Sequence, residues 1–170
     1  ETGTVVCMHI GSSSKMPATS PDAPQSVTVT LSFGNSMASL TDFLFSGVLH
    51  RFPNLRLAYS EGQIGWIPYI LERVDAAWTD HPWARRGEMA EPPSSYFRRQ
   101  VYGCFFSDRH GVRSIDEIGE DNVMFETDYP HADGSFPFTE RLFAEQTAGL
   151  TPAQVRKVAR GNAIRLFGLD

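Results

Sequence analysis

The sequence predicts an α/β fold built on a parallel sheet, and three observations carry that prediction. Four short apolar runs have strand composition: 5–10 (VVCMHI), 55–59 (LRLAY), 101–106 (VYGCFF) and 122–128 (NVMFETD). They begin roughly 20 to 50 residues apart, with helical periodicity between them, which is the signature of crossover connections joining parallel strands. Each run also ends in polar groups: His9, then Ser60-Glu61, then Ser107-Asp108, then Glu126-Thr127-Asp128.

The first run is nearly continuous and reads as a strand buried on both faces. Pro17, Pro21 and Pro24 make 15–26 an irregular loop. The alternation in 27–33 (VTVTLSF) predicts a short edge strand or an extended segment lying over the site. A helix is expected over 35–51, where Met37, Leu40, Phe43, Leu44, Val48 and Leu49 recur at helical spacing, and Pro53-Asn54 ends it. A second follows the run at 55–59, with Ile67, Ile70, Leu71 and Val74 on its apolar face across 64–79. The Pro- and charge-rich 81–95 reads as a long loop, 114–118 as a short helix and 136–148 as an amphipathic one.

The last helix has the clearest start. Thr151-Pro152-Ala153-Gln154 supplies an N-cap hydroxyl, proline at the first helical position and glutamine at the capping-box position. Its expected buried face is Val155, Val158, Ala159, Ala163, Leu166 and Phe167. Gly161 costs such a helix roughly 1 kcal/mol relative to alanine, which implies close packing there, and Gly168 stops it.

Parallel strands bring their C-terminal ends to one side of a sheet, where α/β folds place their chemistry. His9, Glu61 and Asp128 are therefore the candidates, with Asp128 foremost. Each has an ordinary alternative: a satisfied core histidine, a carboxylate capping the next helix, and a turn-forming aspartate.

With 170 residues, one domain is expected, and 41% apolar content is enough for a core. A net charge of −5 with no basic run excludes a nucleic-acid footprint. No apolar stretch reaches membrane-spanning length, so no membrane role is expected, and nothing reads as a secretory signal. Cys7 and Cys104 sit in apolar runs and read as buried free thiols, which fits a reducing, cytoplasmic compartment. The absence of a G-x-G-x-x-G or Walker loop argues against a nucleotide or flavin site. The chain opens ETGTVVCMHI without an initiator methionine and is expected to be a fragment beginning just before a strand.

Three motifs occur in order: His9-Ile10-Gly11-Ser12-Ser13, Ser60-Glu61-Gly62-Gln63-Ile64-Gly65-Trp66 and Thr127-Asp128-Tyr129-Pro130-His131. In that order they resemble the amidohydrolase-related family, the branch of the metal-dependent hydrolases that includes aminocarboxymuconate-semialdehyde and resorcylate decarboxylases. Gly161-Asn162-Ala163 followed by Leu166-Phe167 is similar to that family's last helix. The resemblance covers nearly the whole chain. It implies a (β/α)8 TIM barrel of which this chain supplies strands five to eight, so that residues 1–170 form the C-terminal part of a single domain. It also implies one divalent metal ion at the strand ends, zinc first, with manganese or iron as alternatives. His9 matches the fifth-strand metal ligand, and Asp128 the eighth-strand aspartate that binds the metal and takes part in proton transfer. Many relatives carry a catalytic histidine on the sixth strand; here that position falls on Gly62, with Glu61 beside it as the expected base. Trp66, Phe33, Tyr129 and His131 are the expected substrate-binding residues, ordinary packing being the alternative for the aromatics and a structural role for His131.

Two departures shape the expectations. No H-x-H pair occurs, so His9 and Asp128 leave the metal one protein ligand short of the usual three, and the chain alone should bind metal weakly. A half barrel also leaves two open sheet edges, so the N-terminal half of the barrel or a partner chain is expected, with a homo-oligomer left open. The implied activity is that of a metal-dependent hydrolase or decarboxylase acting on a small carbonyl or carboxylic acid compound. The alternative is a non-catalytic half-barrel fragment or assembly module that requires a partner chain.

Overall fold

The computed structural model describes residues 3–10, 16–84 and 89–169. Four parallel strands form one sheet in the order of the chain: β1 (Val5–His9), β2 (Arg56–Ser60), β3 (Val101–Phe105) and β4 (Val123–Phe125). Register is continuous across it: His9 lies beside Ser60, Ala58 beside Tyr102, and Cys104 beside Met124. Among the described residues, ten α-helices connect and cover the strands: α1 (Gln25–Thr30), α2 (Gly34–Phe45), α3 (Val48–Arg51), α4 (Ile67–Asp80), α5 (Pro93–Gln100), α6 (Arg109–Arg113), α7 (Ile115–Ile118), α8 (Thr139–Thr147), α9 (Pro152–Arg156) and α10 (Asn162–Phe167). Sequential parallel strands with helical crossovers are an arc of a barrel. None of the helices is long and apolar enough to cross a membrane.

Strand alternation sorts the sheet's side chains into two layers. Leu57, Tyr59, Val101, Phe105 and Val123 pack with Leu40, Leu44, Ile67 and Leu71 of the helices in the main core. Ala58, Tyr102, Cys104 and Met124 form a smaller cluster, against which Val5, Ala163 and Leu166 pack. His9 follows Val5 at period two, so it stands on the side of the small cluster, at the strands' C-terminal rim.

The structure corrects several expectations. β1 is not buried on both faces: Val6 is 41% exposed and Cys7 is exposed, because no strand among the described residues pairs beyond β1. Only Cys104 is a buried thiol, and burial pushes its pKa up. Segment 27–33 is not extended. It contributes most of α1, since its Val-Thr alternation has no neighbouring strand to pair with, and α1 buries no residue. The helix expected over 35–51 breaks into α2 and α3 at Gly47, whose φ of 74° only glycine adopts readily. The loop over 81–95 ends in an unexpected helix, α5. There Pro93 occupies the first turn while Tyr96, Phe97 and Gln100 turn inward at helical spacing. The Gln100 amide donates to the carbonyls of Phe52 and Leu55, tying α5 to the entrance of β2.

The last helix starts with the expected capping box but is not continuous. A π-helical turn, Lys157–Gly161, separates α9 from α10. The extra residue turns Val158 and Asn162 inward and leaves Ala159 and Phe167 exposed, so the expected face is only partly correct. Gly161 is not required by packing, since a Cβ there would meet the Arg156 carbonyl oxygen at an ordinary 3.4 Å.

Candidate functional site

The candidate residues lie where the strands end. His9 closes β1, and its Nε2 is 2.7 Å from Oε1 of Glu61, the residue that follows β2. Glu61 in turn has His131 Nδ1 at 4.0 Å, and His131 Nδ1 is 2.7 Å from Asp128 Oδ1. The result is a chain of alternating imidazoles and carboxylates, His9–Glu61–His131–Asp128, spanning the rim from β1 to β4. Within it, Glu61, Asp128 and His131 each present a donor atom, and the three atoms lie within 4.8 Å of one another. His9 joins that group through Glu61.

Local structure aims these groups. Glu61, Gln63 and Asp128 all have left-handed backbones, with φ of 58°, 54° and 53°. For residues with a side chain such conformations cost roughly 1–3 kcal/mol each and cluster at functional sites. Two devices hold them. The Glu61 N–H donates to Glu126 Oε1 at 2.6 Å. The turn carrying Asp128 is closed by Ser135, whose N–H and hydroxyl both donate to the Thr127 carbonyl. Gly134 makes that turn possible, because a Cβ there would stand 2.7 Å from the Asp128 carbonyl oxygen. His131 closes the same turn, its N–H donating to the Asp128 carbonyl at 2.9 Å.

The loop after β2 is fixed from the side by Asp108. Its carboxylate accepts the N–H groups of Ile64 and Gly65, and that of Gly111 at the start of α6. The polar end of the third strand is thus a scaffold for its neighbour's loop.

The electrostatics are those of crowded carboxylates. The Asp128 side chain is 6% exposed and that of Glu61 15%, and Asp128 Oδ2 is buried without a hydrogen-bond partner. Burial raises the Glu126 carboxyl from 4.5 to about 7; the Glu61 N–H and the Ser60 hydroxyl pull it down, and the charges of Glu61 and Asp128 push it further up. The His9 pKa is raised, first by its hydrogen bond to the Ile10 carbonyl and then, against burial, by Glu61. His131 is raised chiefly by its bond to Asp128. Three carboxyl groups and two imidazoles thus meet at one rim, a set of oxygen and nitrogen donors that a divalent ion can share.

Glu126 is a rim carboxylate outside the set of residues that the sequence predicts for the site. Its signal was the period-two step from Met124 on the inner face. His131 lies against Asp128 and 4.0 Å from Glu61, at the same rim. Trp66 packs against the main core, its indole N–H donating to the Gly62 carbonyl at 2.7 Å. Phe33 is partly buried just before α2. Tyr129 is exposed and meets Phe136 edge to face at 5.0 Å, making an aromatic rim next to Asp128.

A parallel arc with a carboxylate–imidazole group on its C-terminal rim is the arrangement in which barrel folds place their chemistry. The sequence pattern of the family described as Amidohydrolase (Amidohydro_2) matches residues 1–169, and the chain belongs to that family. It is 25% identical over 141 residues to the 2-amino-3-carboxymuconate-6-semialdehyde decarboxylase of Dictyostelium discoideum, covering 78% of this chain and 36% of that protein. Its fold is similar to that of an amidohydrolase from Mycobacterium avium subsp. paratuberculosis, with a TM-score of 0.76 and 22% identity over 98% of this chain and 43% of that one. It is also similar to a dihydroxybenzoic acid decarboxylase from Polaromonas solved with manganese and 2-nitroresorcinol. There the TM-score is 0.69 at 21% identity, over 91% of this chain and 48% of that one. The chain thus spans between a third and a half of the length of these relatives, which fits a half barrel.

Proposed function

We propose that this chain is the C-terminal part of a single barrel domain that acts as a metal-dependent carboxy-lyase on a small carboxylic acid. Hydrolysis of a small carbonyl compound on the same rim is the second reading, and the shared family pattern is what supports it. The observation that carries the proposal is Asp128: a nearly buried carboxylate with one oxygen on His131 and the other without a partner, at the mouth of a barrel arc.

A divalent ion held there would draw electron density from a bound carboxylate or carbonyl and lower the pKa of a bound water. Two carboxylates to one imidazole is a harder donor set than zinc alone prefers, and manganese fits it as well. Decarboxylation replaces a carbon–carboxylate bond by a carbon–hydrogen bond and releases carbon dioxide. The chain's part is to bring the proton to that carbon. Asp128, hydrogen-bonded to His131, is the group placed to carry it. Tyr129 and Phe136 offer an apolar edge for the rest of the substrate.

The open β1 edge is where the N-terminal half of the barrel, or a partner chain, would pair. The test uses the parent protein with its barrel complete. Carbon dioxide release from benzoate- and muconate-type acids is measured after chelation and after restoring manganese or zinc. The expected result is metal-dependent release that Asp128→Asn lowers by at least 10²-fold without unfolding the protein. Full turnover in the Asp128→Asn protein would remove Asp128 from the mechanism.

A further inference from the structure

We infer that Glu126 is a positioning residue: its carboxylate braces the turn that presents Glu61 to the rim, so that the segment leaving β4 fixes the spacing of Glu61 and Asp128. The inference rests on the metal-dependent reading above for what that spacing serves, and it gives a role to a residue that reading leaves unused.

Four observations carry it. Glu126 Oε1 accepts the Glu61 N–H at 2.6 Å, and its carboxylate also takes the Ser60 hydroxyl. Those partners lie at the end of β2, and β3 stands between β2 and β4, so no ladder hydrogen bond joins the two strands and this contact spans the end of β3. Glu61 has a left-handed backbone, φ 58°, a conformation that persists only where the surroundings enforce it. The far end of the same turn is clamped by other groups. Asp108 accepts the N–H groups of Ile64 and Gly65, and the Trp66 indole donates to the Gly62 carbonyl. Gly62 is wedged against α2, where a Cβ would stand 2.9 Å from Ser36 Oγ. Loss of Glu126 therefore frees the Glu61 end and leaves the rest of the turn in place.

The brace belongs to the segment that also carries Asp128, two residues on, whose turn is closed by Ser135 on the Thr127 carbonyl. One short stretch thus holds one rim carboxylate and the support of the other. The geometry at stake is that of the Glu61 side chain, whose Oε1 is 2.7 Å from His9 Nε2 and 4.0 Å from His131 Nδ1. A shift of the Glu61 backbone changes both separations. Misplacing a group at a reacting centre by about 1 Å costs up to about 10²-fold in rate.

The experiment compares Glu126→Leu, Glu126→Asp and Glu126→Gln in the parent protein with its barrel complete. Three quantities are read: amide hydrogen exchange by NMR, the imidazole 15N signals of His9, and turnover. Glu126→Leu removes the acceptor, and Glu126→Asp keeps a carboxylate on an arm one methylene too short. In both, exchange at the Glu61 N–H should quicken by at least about 10-fold, while the Ile64 and Gly65 amides, held by Asp108, keep their protection. The His9 signals should shift, and kcat should fall about 10- to 100-fold with KM changed by less than about threefold. Glu126→Gln retains an acceptor of the right length. It should restore the Glu61 protection and the His9 signals, and most of the lost turnover. A merely structural role would loosen Ile64 and Gly65 together with Glu61. That result overturns the inference, as does a Glu61 amide equally protected in Glu126→Asp and the wild type, or a Glu126→Gln protein that restores nothing. Should Glu126→Leu fail to fold, the contrast of Asp with Gln decides alone. Exchange and imidazole signals need no turnover. If they change as expected in a protein that releases no carbon dioxide, the brace stands and the carboxy-lyase falls; wild-type signals in an active Glu126→Asp protein sink the brace and leave the carboxy-lyase standing.

Discussion

The two edges of the sheet are built differently. β4 is roofed by the chain's own C-terminus: the Asn162 amide, fully buried, donates to the carbonyl of Val123 at 2.7 Å and to that of Glu120 at 2.8 Å. Val123 and Met124 are buried beneath the π-helical turn and α10. Among the described residues, β1 has no such roof. Its residues are half-buried or exposed although its composition, Val-Val-Cys-Met-His, is as apolar as that of β4. An apolar strand left open is surface in search of cover. The difference teaches that apolar composition alone does not tell whether a strand is covered, because β1 and β4 are alike in composition and unlike in exposure.

The largest effect is expected at the closed edge. Asn162→Ala removes a donor shared by two carbonyls, one of them on a buried strand, and offers nothing in return. Leaving the buried Val123 acceptor and the half-buried Glu120 acceptor unmet should cost about 3–5 kcal/mol. Denaturant unfolding measures it; a loss under about 1 kcal/mol would mean that water satisfies both carbonyls and that the β4 edge is more open than described.

The second effect concerns pH, and it arises at the rim beside β4. Burial lifts Glu126 from 4.5 to about 7, so in that interval the folded chain keeps a proton that the unfolded chain has released. The folded state binds more protons, and stability must fall as pH rises from 4.5 to about 7. His9 and His131, both raised above 6.5, act in the same direction: their contribution is present below 6.5 and is lost as pH climbs through their folded values. In the metal-free chain the Glu126 share reaches on the order of 3 kcal/mol. Glu126→Gln keeps an acceptor for the Glu61 N–H and removes the titration, so its unfolding free energy should be flatter between pH 5 and pH 7. Added Mn2+ should reverse the trend, since metal and protons compete for the same carboxylates and imidazoles. A wild-type chain whose metal-free stability rises with pH in this window would contradict the burial of Glu126.

The strands were legible because burial writes a run of Val, Leu, Tyr and Phe regardless of what surrounds it. The last helix was legible because Thr151 and Gln154 form a reciprocal hydrogen-bonded box that needs only local sequence. Helix α5 was hidden because Pro-Pro-Ser-Ser reads as loop, while the residues that justify it, Tyr96, Phe97 and Gln100, are felt only when they meet the core. The break at Lys157–Gly161 was hidden for a similar reason: no composition marks a π turn, and it exists to bring Asn162 under β4. At the rim, the polar ends of the four runs pointed to His9, Glu61 and Asp128, and the structure brings these three to one place. Glu126 and the joining of His131 to both carboxylates depend on left-handed backbones at Glu61 and Asp128, which Glu and Asp side chains do not announce.

The smallest effect on stability belongs to the open edge, and it is the one that discriminates most. Val6 is 41% exposed and pairs with Leu57 on β2, and no strand among the described residues pairs on its other side. Val6→Lys should therefore change the unfolding free energy of this chain by no more than about 0.5 kcal/mol. In the completed barrel proposed above, the same lysine would be buried against the covering strand, and burying its charge unpaired costs several kcal/mol. The comparison of the two backgrounds is the measurement. A lysine tolerated in the 170-residue chain but destabilising in the longer protein identifies β1 as the seam where the barrel is completed. Equal tolerance in both would mean that Val6 faces solvent in the whole molecule, and that closure reaches β1 elsewhere along its edge.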